Sequence, residues 1–311
     1  MSEKYAWPLA GLDNPRLPLC LYGAGAVIFI LTAWLWWAKV SVDPAHVFNG
    51  MLASSLSTTS TTLDLSQPGD GSAKEAIQLQ FGTNTFAHAL SSLSQNGNTV
   101  TTETIGTPAA DYTRYATVKT NKTNKNGRPV DVSGIQNVWA KTTAAEAAQG
   151  QNTLLFEQAV LGIGLPLGSV PVPMGDVPLG ARAALLGEMQ GDNVYSPDIA
   201  KMKKGVADGR LAYAYPVTLQ PVTYARLMQN FARALGLHDL DNFDPNSLSG
   251  QSPVEMTFVV DAHAQQLLEI DYASDNYKET YGNYGVISPV SLPQKTIPST
   301  ELQRRLSALQ G

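Results

Sequence analysis

Residues 209–219 read GRLAYAYPVTL and residues 254–272 read VEMTFVVDAHAQQLLEIDY. In the first, Leu211, Tyr213, Tyr215, Val217 and Leu219 alternate with smaller or polar residues, the period-two mark of a strand with one buried face. Pro216 suits an edge position or a bulge, because it brings no N–H to a ladder. In the second, Val254, Met256, Phe258 and Val260 alternate likewise. After a turn at Asp261 to Gln265, Leu268, Ile270 and Tyr272 do so again. Between the two stretches, Val222 to Leu237 carries Leu227, Met228, Phe231 and Leu235 on one helical face, with Gly236 at its end. Strand, helix and a two-strand hairpin in this order predict an antiparallel sheet with a helix packed on it.

The reading extends both ways. Downstream, Tyr277, Glu279 and Tyr281 begin another strand, and Ser299 to Gln310 ends the chain as a helix with Thr300 and Gln303 spaced as a capping box. Upstream, Ala181 to Met189 and Asn152 to Leu161 read as short helices. Ile77, Leu79 and Phe81 alternate with glutamines, and further strands are expected over Thr99 to Ile105, Tyr112 to Lys119 and Ile135 to Lys141. Turns such as Asn96-Gly97 separate them, and none is a long apolar run of the kind a parallel sheet needs. Asp43-Pro44 opens a helix, Asp as N-cap and Pro at the first position, followed by Val47, Met51, Leu52 and Leu56. The predicted fold class is α+β: a curved antiparallel sheet, a half-barrel, with helices over one face.

From Gly209 to Pro298 the chain resembles the LolA/LppX-like superfamily of extracytoplasmic lipoprotein- and lipid-binding domains. The residues that carry the likeness are the strand from Gly209, the helix after it, Val259-Val260-Asp261 before the hairpin turn, and Tyr284-Gly285 before the Pro-containing segment Val286 to Pro293. The resemblance implies that the Val-Asp turn joins two strands of a curved sheet and that Tyr-Gly leads into the last strand. It also implies a hydrophobic cavity for a lipid or lipoprotein ligand. From Asn193 onward the chain is also similar to single-pass membrane proteins of small-genome bacteria of the Saccharibacteria type, a likeness that implies no activity.

Leu17 to Ala38 carries no charge over about 22 residues, enough to cross a hydrocarbon core at about 1.5 Å per residue. Trp34, Trp36 and Trp37 crowd its far end, where indoles favour the membrane–water interface, and Lys39 closes it. The bulky end argues for a retained anchor over a cleaved signal. Lys4 and Arg16 place the N-terminus in the cytoplasm. The expected organisation is a cytoplasmic tail over 1–16, a transmembrane helix over 17–40 and an extracytoplasmic domain over 41–311, close to the lipid headgroups. Cys20, the single cysteine, lies in the apolar run, so the outer domain has neither disulfide nor thiol chemistry.

A net charge of -5 argues against nucleic acid as a partner. Lys119, Lys122, Lys125 and Arg128 surround Asn126-Gly127 and read as a solvated hairpin loop. No hydrolase, P-loop or dinucleotide pattern is present, His46, His88, His238 and His263 are dispersed, and no catalytic, cofactor or metal site is predicted. Asp239, Asp241, Asp244 and Asn246 read as turn chemistry after a helix. Tyr272, Tyr277, Tyr281 and Tyr284 read as strand packing ahead of a binding rim.

The stretch Val160 to Val177 is apolar, and its prolines forbid a second span. Such a segment needs a cover, and two readings stand. In one, Leu161, Ile163, Leu165, Val170 and Met174 line a cavity for an acyl chain, in a non-catalytic, membrane-anchored binding module. In the other the core is filled and the domain is a sensor or scaffold for an envelope protein partner.

Overall fold

The computed structural model describes residues 29–32, 34, 42–67, 72–123, 127–150, 153–161, 171–191, 193–272 and 277–310. Asp43 accepts a hydrogen bond from the His46 N–H at 2.9 Å and starts helix α1 (Pro44–Ser55), whose Val47, Phe48, Met51 and Leu52 are buried. An antiparallel run follows: β1 (Ser60–Gln67), β2 (Ser72–Gln80), β3 (Phe86–Gln95), β4 (Asn98–Gly106) and β5 (Ala110–Lys119). Asn96 and Gly97, both at positive φ, close the β3–β4 hairpin as an Asn-Gly turn should. Then come β6 (Ala140–Thr143), α2 (Ala144–Gln149), α3 (Leu155–Leu161), α4 (Leu179–Gly191), β7 (Tyr195–Pro197) and β8 (Lys203–Ala207). The chain ends with β9 (Arg210–Leu219), α5 (Pro221–Ala234), β10 (Val254–Asp261), β11 (Leu267–Tyr272), β12 (Tyr277–Gly282), β13 (Ile297–Pro298) and α6 (Ser299–Gln310).

These strands form one curved, unclosed sheet in the order β13-β6-β5-β4-β3-β2-β1-β12-β11-β10-β9-β7, with β8 also on β9. Every pairing is antiparallel except β13 with β6. The predicted α+β class, a curved antiparallel sheet with helices over one face, describes this arrangement. Pro216 sits where β7, pairing 217–219, gives way to β8, pairing 210–214. Its carbonyl accepts from Asp198 on that side at 2.8 Å, and its missing N–H falls in the same gap and breaks no ladder.

The main core lies between the sheet's inner face and the helices α1, α3, α4 and α5. Phe48 of α1 packs edge-on to Tyr215 at 5.3 Å and stacks on Phe258 at 6.3 Å. Residues 175–177 hydrogen-bond back to the end of α1, Gly175 N to Ser55 O and Val177 N to Leu56 O, both at 3.0 Å. A smaller cluster lies under α6, where Leu302 packs on Ile135 and Ala140.

Four local expectations change. Ile135 is not in a strand: it is buried in a turn, and pairing begins only at Ala140. No strand was expected over 86–95, yet β3 is there. Nor does a full last strand follow Tyr284-Gly285; only Ile297 and Pro298 pair, beside Ala140 and Lys141. Thr300 is no cap, since the helix already begins at Ser299, directly after β13. The proposed span Leu17 to Ala38 lies mostly outside the described residues. Of it, Phe29, Ile30, Leu31, Thr32 and Trp34 are helical and exposed, and no described helix is long and apolar enough to cross a membrane.

Candidate binding groove on the inner face

The strand registers fix which side chains share the inner face. One row crosses nine strands: Tyr215, Phe258, Ile270, Glu279, Leu65, Glu75, Ser91, Thr102 and Tyr115. From Tyr215 to Leu65 every member is buried; from Glu75 onward none is. The side chains turn polar at the same point, with the Ser91 hydroxyl donating to Glu75 Oε1 at 2.6 Å. The buried Glu279 accepts from the Tyr281 hydroxyl at 2.6 Å, so the carboxylate within the packed half has a partner.

A neighbouring row, Ala73, Leu93, Val100 and Val118, turns apolar again towards the strand ends. Leu93, Val100 and Val118 of this row form the floor of a groove of about 990 Å3, walled by Val132 and Ile135 together with Leu306 and Leu309 of α6. Leu93 is 50% exposed. Gln95, Asn98, Lys119 and Lys122 stand along its rim. The volume lies at the upper end of the range usual for small-molecule sites; the floor is apolar, and about half of the lining is polar or charged, Asp131 included.

One attachment holds the wall in place. Arg305 on α6 donates to the Gly134 carbonyl at 3.0 Å and to Glu301 at 2.8 Å. Hydrogen bonds from Arg304 and Arg305 lower the Glu301 carboxyl to about 2. On the outer face, Glu103 bridges Arg114 at 2.6 Å and His88 at 3.0 Å and stitches β3, β4 and β5 together. Burial works to raise that carboxyl, but Arg114 and His88 outweigh it and hold it below its usual value. The groove floor is therefore supported from behind.

The predicted lining is placed elsewhere. Leu161, at the end of α3, and Met174 are both buried in the main core. Ile163, Leu165 and Val170 lie outside the described residues, as do Trp36 and Trp37, while Trp34 is helical and exposed. The groove residues were missed because they come from five separate segments, each with only one or two apolar positions. The available signal was Leu93, Val100 and Val118 at the ends of otherwise Ser/Thr-rich strands. The tyrosines follow the strand-packing expectation: Tyr272 and Tyr281 are buried, and Tyr284 donates to the Leu267 carbonyl at 2.6 Å. Asp244 caps a short 3-10 turn and Asp241 pairs with Arg233, which is the turn chemistry expected after a helix.

Another group of acids lies beside α3. Asp111 accepts from the Leu155 N–H at 3.0 Å, yet burial pushes its carboxyl up to about 6. Glu157 is raised to about 7, by burial first and then by the neighbouring Asp239. No group of three metal-ligating side chains is found among the described residues.

Fold and groove together define an α+β protein with an open, curved antiparallel sheet and an apolar recess on its inner face. No protein-family model matches the chain, and no curated protein matches it. Among solved structures it is similar to LprF from Mycobacterium bovis, at 14% identity and a TM-score of 0.38, over 81% of this chain and 96% of that one.

Proposed function

We propose that the protein is a non-catalytic binding module for the acyl chain of a lipid or lipopeptide, anchored by Leu17 to Ala38 with its folded domain outside the cytoplasm. The observation that carries the reading is the 990 Å3 groove with an apolar floor and a lysine-bearing rim. Acyl binding needs no reactive group. Each methylene taken out of water contributes about 0.8 kcal/mol, so a chain of eight to ten buried methylenes supplies about 6 to 8 kcal/mol against the cost of immobilising it. Lys119 and Lys122 at the rim suit an anionic headgroup, and the sequence resemblance to lipid-handling domains points the same way.

The test uses the full chain in native membranes and a photoactivatable fatty acid, with cross-linked peptides mapped by mass spectrometry. Label on peptides containing Leu93, Val100 or Leu306, reduced several-fold in Val100→Asp, supports the module. Label confined to the segment before Val42, and unchanged in that variant, sinks it.

A further inference from the structure

We infer that the β8–β9 corner, presenting Lys203, Lys204 and Val206, is the face by which the folded domain rests on an anionic membrane surface. This rests on the reading of Leu17 to Ala38 as a span. The place where the described fold begins singles out this corner. The Tyr213 hydroxyl donates to the Val42 carbonyl at 2.7 Å, and the Tyr215 hydroxyl to the Pro44 carbonyl at 2.9 Å. The entering chain is thus clamped to β9 by two hydrogen bonds. Only three residues, Lys39 to Ser41, separate Val42 from Ala38. Four residue steps span at most about 14 Å, so Val42, with the Tyr213 hydroxyl one hydrogen bond beyond it, lies within roughly that distance of the end of the span.

β8 is the strand next to this clamp. Its register sets Lys204 beside Tyr213 and Val206 beside Leu211. Both therefore project on the face where Val42 is held, and the Lys204 ammonium lies 6.0 Å from the Tyr213 ring centre. Val206 is 76% exposed, an apolar side chain at a free edge. Lys203 and Lys204 are exposed and have no ion-pair partner among the described residues. The other cations of the corner are engaged, Lys201 with Asp198 at 2.9 Å and Arg210 with Asp261 at 3.3 Å. Of the nearby acids, Asp208 in the β8–β9 turn lies 3.9 Å from Arg210, and Asp43, the α1 cap, stands beside Tyr213. Lys204 and the exposed Val206 share one face of the edge strand and Lys203, opposite Ala214, stands on its other face, so lysines flank the edge within reach of the headgroups and match an anionic lipid surface. The groove lies across the sheet on β3 to β5, so the docked domain would hold its recess away from the corner that touches the membrane.

The experiment places the full chain, in a Cys20→Ser background, in nanodiscs of phosphatidylcholine with or without 30% phosphatidylglycerol. An environment-sensitive fluorophore is attached at Val206→Cys or, on exposed α6 at the other end of the sheet, at Gln303→Cys. Lipids with spin-labelled headgroups act as quenchers. The expected result is at least threefold stronger quenching at position 206 than at 303 in anionic discs. Lys203→Glu with Lys204→Glu, or 0.5 M salt, should remove most of that difference. Equal quenching at both positions in chains that do enter the discs overturns the docking face while leaving the span intact. Failure to enter the discs overturns the span and the docking together. Protection at 206 that needs neither anionic lipid nor spin label points to a second copy pairing along the β8 edge, and overturns the lipid assignment.

Discussion

The two ends of one cross-strand row on the inner face are built from the same strands-in-register geometry, yet one is a core and the other is a surface. Between β9 and β1 the cross-strand row holds Tyr215, Phe258, Ile270 and Leu65, all buried beneath α1, α4 and α5. Between β2 and β5 the same row continues as Glu75, Ser91, Thr102 and Tyr115, all half-exposed. Curvature alone does not make a recess; what matters is where the covering helices stop and what the uncovered strands carry. Here the apolar residues Leu93, Val100 and Val118 return at the far end, where α6 leaves a gap. Substitutions in the two halves should therefore differ sharply in what they cost.

The largest effect is expected at Phe258, which lies between Phe48 and Tyr195, with ring centres at 6.3 and 6.0 Å. Phe258→Ala should destabilise by about 3 to 5 kcal/mol, read from urea unfolding followed by tryptophan fluorescence. A loss under about 1 kcal/mol would mean the packed half is not a rigid core.

Next in size is Gly106, at the end of β4 beneath α3. A Cβ there would lie 2.8 Å from Leu155 Cβ and 2.9 Å from the Phe156 backbone nitrogen, so α3 sits directly on it. Gly106→Ala should cost about 1 to 3 kcal/mol. At Gly50 the obstruction is the end of the Gln265 side chain, which can swing aside, so Gly50→Ala should cost far less.

The packed half was legible in the sequence and the recess was not, for a physical reason. Burial against helices on one face imposes strict alternation, and β9, β10, β11 and α5 show it plainly. Asp43-Pro44 announced α1 through cap chemistry that is local to four residues. β3 escaped because its buried members on the inner face are Ala87 and Ala89, small enough to lie under α3 and too small to mark a period. Val160 to Val177 was expected to need a cover, and its described members Val172, Met174 and Val177 are plain core. The groove depends on register across strands far apart in the chain and on α6, some 170 residues from Ile135. Local pattern holds no trace of such a juxtaposition.

A third effect comes from the acids beside α3. The folded-state pKa of Glu157 is raised to about 7, so the native state holds a proton that the unfolded chain releases near its usual 4.5. Its contribution is fully present below about pH 4.5 and is lost as pH rises through 7, and Asp111, raised to about 6, acts in the same sense. Stability should fall between pH 5 and 8 by on the order of 2 kcal/mol. Glu157→Gln should flatten much of that slope in thermal melts across the range. A slope of the opposite sign would mean the carboxyl is charged in the fold.

The smallest effect is expected in the groove, and its smallness is informative. Leu93 is half-exposed and Val100 borders open space, so neither has the surrounding atoms that make truncation costly. Leu93→Ser and Val100→Ala should each change stability by less than about 1 kcal/mol, because little buried area is lost. Leu93 is then a leucine among the serines of β3 that contributes little to folding. If Leu93→Ser proved as costly as Phe258→Ala, the recess would belong to the core and the contrast between the halves would collapse. If it is nearly neutral for folding while acyl cross-linking at the groove drops, folding and binding are assigned to opposite ends of one sheet.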